Sequence, residues 1–341
     1  MVVLSTLVSA VLTAGFVSAQ RDPWAGPLNK PALRPNFDDL RQGLLNALPS
    51  PESFTYGQWS SGWIPEDCKF IAETWANVNG IDFDVFEVWY DDCPDQPWTF
   101  CHHRQSTIDV VNMAFQFGRL PVQMREWVRH VITAPGGGGS AFEYDGSVTF
   151  IQPWDDMIPV IIHEVAHSLD RSGAYRTSPV SSSEGFWNAY NRDTHVPDNY
   201  ARTNMIENVA QNTVIAMYNE NVPGGISTRE PNARAIQNQY FEMINQARNA
   251  GQGNSLYNRG KSGQCTRRLP NRNWIYIGSK KRHVKGPRGE TGPIVTMIGE
   301  NNFDGTPVTK PVNLTLADGI IELNTGRKTE AEKHTKCDLH W

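Results

Sequence analysis

The chain has 341 residues, 39% of them hydrophobic and 11 of them tryptophan, with a formal net charge of −5. That is ample apolar material for one large domain or two small ones. A slightly acidic protein gives no case for nucleic acid or an anionic membrane surface as partner.

Met1 to Ala19 carries no charged side chain, holds an apolar stretch from Leu7 to Val17, and closes on the small residues Val17-Ser18-Ala19. This pattern predicts a removed secretory signal. The run falls short of the about 20 apolar residues a membrane span needs, and no later stretch is long enough. A secreted protein with no membrane anchor is therefore expected.

Residues 20–57, rich in Pro and Asn, read as an extended N-terminal arm, and residues 58–265 as the main domain. The five cysteines, Cys68, Cys93, Cys101, Cys265 and Cys337, suit an oxidising compartment and leave one unpaired. The prolines of CPDQPWTFC can turn the chain back on itself, which favours a local Cys93–Cys101 bridge. Cys68–Cys265 is the next pairing, and spacing alone does not fix the connectivity. His102 and His103 after that stretch read as solvated loop residues. In IDFDVFEVWY, Ile81, Phe83 and Val85, then Val88 and Tyr90, predict a strand with a slip in its alternation. MREWVRHVI reads as a short helix, and the glycines at 136–139 as a flexible connection. Two short strands follow, Ser140 to Tyr144 and Ser147 to Ile151, joined by a turn at Asp145-Gly146. The second is expected at a sheet edge, where an extended peptide can add as a further strand.

VIIHEVAHSLD spans Val160 to Asp170. Asp155 or Asp156 is a good cap, Pro159 falls in the first turn, and Ser172-Gly173 ends the predicted helix. His163 and His167 are one turn apart and share a face. Two such imidazoles can close on one zinc ion, with Glu164 rotated about 100° from His163, beside the metal, to take a proton from water. The competing reading makes them satisfied core histidines.

A metal needs a third protein ligand. A histidine six residues after the second is excluded, because that position is Gly173. Asp170, three residues past His167, reads as an acceptor behind the ligands or as a helix-end partner. NYARTNMIENVAQNTVIAMYN predicts a second helix with an apolar stripe at Ile206, Val209, Ala210, Val214 and Met217. Glu207 lies against that stripe and would complete a His, His, Glu set with a fourth position open.

HEVAH paired with YARTNMIENVAQ resembles the gluzincin metallopeptidases, most closely those with an anthrax-lethal-factor-like catalytic domain. Tyr200, Ala201, Asn204, Glu207 and Ala210 match that group's second-helix pattern in register. The resemblance implies a zincin-like α+β fold, with a small mixed sheet over an active-site helix and a second ligand-bearing helix. It also implies Zn²⁺ as cofactor, Glu207 as third ligand and Tyr200 as donor to the oxyanion. Over about residues 20 to 265 the chain is also similar to the secreted fungal proteins of the conidiation-specific protein 13 family. The shared features are the signal, the CPxxPWxxC-like loop, the PGGGG segment and the HSLD after the second histidine. That likeness implies a spore or cell-wall setting. The chain departs from the gluzincin pattern at Asn208 and Gln211, where acids are usual. The acid four residues after the ligand normally accepts from a zinc-binding histidine. Gln211 can accept without the charge, which puts fast turnover in doubt.

Residues 266–341 read as a basic, loop-rich extension with short β-like pieces, PIVTMIG and GIIEL, and a glycosylation sequon at Asn313. Lys281-Arg282 reads as part of a solvated loop. The expectation is a secreted zinc metalloendopeptidase acting on a peptide or protein substrate, cell-wall proteins included. A zinc-binding relative that does not cut and a wall-binding protein with structural histidines are the rivals.

Overall fold

The structure is a computed structural model that describes residues 21–249 except 52, and residues 255–258, 265, 268–278, 292–293, 295–302, 307–308 and 313–314. The expected signal, Cys337, Lys281-Arg282 and GIIEL lie outside the described residues.

A mixed sheet forms the centre, in the order β10-β9-β1-β3-β4-β5-β7-β6. Its strands are β1 (Ser53–Trp59), β3 (Phe83–Tyr90), β4 (Cys93–His103), β5 (His130–Ala134), β6 (Ser140–Tyr144), β7 (Ser147–Ile151), β9 (Val295–Asn302) and β10 (Pro307–Val308), with β11 (Asn313–Leu314) also on β9. β4, β5 and β7 run parallel, and the other pairings are antiparallel. A second, two-stranded sheet pairs β2 (Trp63–Pro65) with β8 (Trp274–Tyr276).

Alternation along the strands feeds two cores. Val131, Val148 and Phe150 pack into one with the helices α1 (Arg41–Ala47), α3 (Val110–Gly118), α5 (Ile158–Ser172) and α7 (Met205–Asn221). Ile132, Ile151 and Phe142 face the other, beneath α2 (Glu66–Thr74). The apparent slip in IDFDVFEVWY is a strand buried on both faces, Phe83 and Val85 in the second core and Phe86, Val88 and Tyr90 in the first. The Asp145-Gly146 turn forms as expected, both residues at positive φ, 49° and 84°, which suits the tight hairpin between β6 and β7.

Several expectations are corrected. The disulfides are Cys68–Cys101 and Cys93–Cys265, with Cα separations of 6.4 and 5.3 Å. Cys93 and Cys101 lie on one extended strand, β4, which at about 3.3 Å per residue sets them ~26 Å apart, far beyond disulfide reach. The prolines do not turn the chain, and His102 and His103 belong to the same strand. Of MREWVRHVI, only its first two residues are helical, in α4 (Val122–Arg125), while His130 to Ile132 enter β5 between two parallel neighbours. Burial on both faces overrides the local helical pattern. β7 is internal and β6 is the edge, so any strand addition belongs to β6. The end of the expected arm, from Ser53, belongs to β1, an inner strand flanked by β9 and β3, and Phe54 is buried. The segment after Cys265 supplies β8 and β9 to the two sheets, and Asn313 pairs with Thr296 in the β11–β9 ladder.

Glu87 is a buried carboxyl on the second face, accepting from Trp59 Nε1 at 3.0 Å and Thr99 Oγ1 at 3.0 Å. Burial pushes it up to about 7, against the opposing pull of Arg268. A carboxyl held above its unfolded value stabilises the fold fully below about pH 4.5, and that contribution is lost as pH rises toward 7. Glu87→Gln is expected to remove this slope, worth on the order of 3 kcal/mol across the window. Urea midpoints at a series of pH values measure it, and an unchanged slope would rule Glu87 out as its source.

Candidate metal centre

α5 begins after Met157, and no side chain caps it. The expected caps are used otherwise: Asp155 accepts from Asn112 Nδ2 at 2.6 Å, and Asp156 sits at φ 61°. Pro159 occupies the first turn, and Gly173, left-handed at φ 84°, ends the helix. α5 is buried over most of its surface, and Ser168 fastens it to the carbonyl of Trp127. α7 packs against it, starting at Asn204, whose side chain accepts from the Glu207 N–H at 3.0 Å. The same cap that starts the helix thus fixes the backbone of Glu207. α7 has no single apolar stripe: Asn208, Gln211, Asn212 and Thr213 are buried along with its apolar residues.

These two helices bring three side chains together. Glu207 Oε2 lies 3.1 Å from His163 Nε2 and 3.2 Å from His167 Nε2, and the two imidazole nitrogens are 3.1 Å apart. His163 and Glu207 are buried, while the His167 side chain keeps 10% exposure. Burial alone would raise the Glu207 carboxyl, but the adjacent His167 and His163 hold it well below the usual carboxylate range. Burial lowers His163. His167 is instead raised to about 9, because Glu207 outweighs its burial.

Glu164 is fully buried, and neither carboxylate oxygen has a hydrogen-bond partner among the described residues. Burial pushes it up to about 8, with His167, Glu207 and Glu143 close enough to act on it. A buried polar group without partners is costly. Glu143 reaches this region from β6 and accepts from the Gly146 N–H at 2.5 Å. Tyr200, half-buried, places its ring 5.5 Å from that of His163.

Three donors of this kind suit a tetrahedral zinc ion. Metal–ligand distances of about 2.0–2.1 Å imply ligand separations of roughly 3.3 Å, close to those found. Glu164 is buried beside them, without a hydrogen-bond partner among the described residues.

Asp170 takes the helix-end role. It accepts from the N–H groups of Val180 and Ser181, at 2.5 and 3.2 Å, and from Ser181 Oγ at 2.5 Å, so it anchors the segment after α5. Gln211 lies behind His163, its Oε1 3.4 Å from His163 Nδ1, and its Nε2 donates to Asp198 Oδ2 at 2.9 Å. Asn208 faces the other way, donating to Gln239 Oε1 of α8 (Gln237–Asn249) at 2.8 Å. Its departure from the acidic pattern serves helix packing. The sequence reading missed Asp198 and Glu143. Asp198 had a local signal, a side chain three residues before Ala201 whose N–H it accepts at 2.9 Å. Glu143 had none.

The described residues thus define a mixed α+β protein in which two packed helices gather two imidazoles and a carboxylate. The chain belongs to the conidiation-specific protein Con-13 family, whose model matches residues 36–286. It is 26% identical over 347 residues to conidiation-specific protein 13 of Neurospora crassa, covering 98% of this chain and 96% of that protein. No solved structure matches it. Among the described residues, no helix is long and apolar enough to cross a membrane.

Proposed function

We propose that this chain is a secreted zinc metallopeptidase of gluzincin type, acting on peptide or protein substrates in the spore or cell wall. The setting rests on the leader-like first 19 residues and on the name of the relative. One observation carries the chemistry: His163, His167 and Glu207 present donor atoms within 4.8 Å of one another, beside the buried Glu164, which has no hydrogen-bond partner among the described residues.

His163, His167 and Glu207 would hold the ion. When bound, zinc supplies Lewis acidity at the scissile carbonyl. Glu164 takes the proton of the attacking water and passes it to the leaving amine. Tyr200, beside His163, donates to the oxygen that gains negative charge. Among the described residues β6 is the outermost strand on its side of the sheet, where an extended substrate would add as a further strand.

Cleavage of a broad peptide library by the zinc-loaded chain, lost with a chelator and restored by zinc, tests the reading. A fully loaded chain that cuts nothing would sink it in favour of a zinc-binding protein without peptidase activity, the reading that the uncharged Gln211 favours. Tyr200→Phe is expected to retain zinc and lose about 10²–10³-fold in kcat. An unchanged kcat would remove Tyr200 from the reaction.

A further inference from the structure

We propose that Asp198 is a positioning residue for the metal centre, supplying negative charge to His163 at one remove through the Gln211 amide. This rests on the metal-centre reading above. A histidine that binds metal through Nε2 carries its proton on Nδ1 and needs an acceptor there. Gln211 Oε1 is that acceptor, at 3.4 Å.

An amide has a donor end and an acceptor end, and the wrong end toward His163 would oppose the required tautomer. Asp198 decides between them. Its carboxylate only accepts, and it takes Gln211 Nε2 at 2.9 Å, which turns the carbonyl toward His163. Both side chains are buried, 2% exposed for Asp198 and 5% for Gln211, so water does not compete.

Asp198 is itself held from two sides. Its other oxygen accepts from the Ala201 N–H at 2.9 Å, within the segment that carries Tyr200. Its neighbours in the chain are laced to the N-terminal arm. Val196 donates to the Pro31 carbonyl at 3.0 Å, Arg34 to that of Pro197 at 3.2 Å, and Asn199 to that of Pro35 at 3.3 Å. One carboxylate thereby sets the orientation behind a metal ligand and fixes the loop of the oxyanion donor.

Zinc dissociation constants of the full chain, measured by chelator competition alongside thermal melts, test the relay. Asp198→Asn is expected to weaken zinc binding about 10- to 100-fold, the usual cost of losing a partner behind a ligand. Gln211→Glu alone should bind no more tightly than the unaltered chain, because it sets two buried carboxylates against each other. The double change, Asp198→Asn with Gln211→Glu, should restore the unaltered affinity, since an Asn amide at 198 can donate to a carboxylate at 211 that faces His163 directly. A purely structural role for Asp198 would make the losses add. Unchanged affinity in Asp198→Asn, or additive loss in the double variant, would overturn the relay. Should Asp198→Asn fail to fold, the double variant decides alone: unaltered affinity supports the relay, and weaker binding overturns it. An unaltered chain that binds no zinc would sink the metal-centre reading itself, and the relay with it.

Discussion

Changing His163 or His167 to alanine is expected to strip the purified chain of its zinc. The unaltered protein should carry close to one ion, and each variant almost none. The donor atoms stand 3.1–3.2 Å apart on two packed helices, so removing one leaves two donors that cannot hold a tetrahedral ion unaided. The loss should exceed the roughly 10- to 100-fold that follows removal of a partner behind a ligand. Glu207→Ala belongs with the histidine variants. Asp170→Asn does not: it should keep its zinc and loosen the segment at 178–183, because Asp170 is spent on Val180 and Ser181. Metal analysis beside thermal melts reads both effects. Zinc retained by Glu207→Ala but lost by Asp170→Asn would show that the third ligand lies elsewhere.

The second large effect concerns Glu164. Glu164→Gln keeps the shape of the side chain, removes its capacity to take a proton, and touches none of the three donors. Zinc content and fold should be unchanged while kcat falls about 10²–10⁴-fold, the usual worth of a positioned general base. The contrast with the histidine variants is the informative part, since they lose metal and activity together. Glu164→Gln with undiminished kcat would mean that another group takes the proton, and Glu143, the nearby buried carboxyl on β6, would then be the residue to change.

The parts of this architecture that were legible in the sequence are those governed by neighbours a few residues apart. The i, i+4 spacing of His163 and His167 and the Asp145-Gly146 turn are of this kind, as is the left-handed stop at Gly173. Each depends on backbone geometry within one turn. The helix of Glu207 was legible too, but its burial on nearly every side was not, because that depends on what packs around it. The disulfide partners are not legible in the spacing, because an extended strand separates Cys93 from Cys101 although they are close in sequence. β7 looked like an edge because no local pattern tells that β6 folds back outside it. The turn that Asp198 makes with the Ala201 N–H is local, but its second partner, Gln211, lies on a different element, which no local pattern tells.

The arm laid along residues 196–202 has a consequence for the order of assembly. Lys30 donates to the carbonyl of Tyr190, 160 residues further on, at 2.5 Å. A chain synthesised from its N-terminus must therefore hold its earliest residues unpaired until most of the remainder has emerged. Contacts so distant in sequence close late and slow the search for the native state. The segment bearing Asp198 and Tyr200 is thus completed only when residues 28–35 meet residues 196–202, so a nascent fragment that ends just after HEVAH still lacks Glu207 and the loop before it.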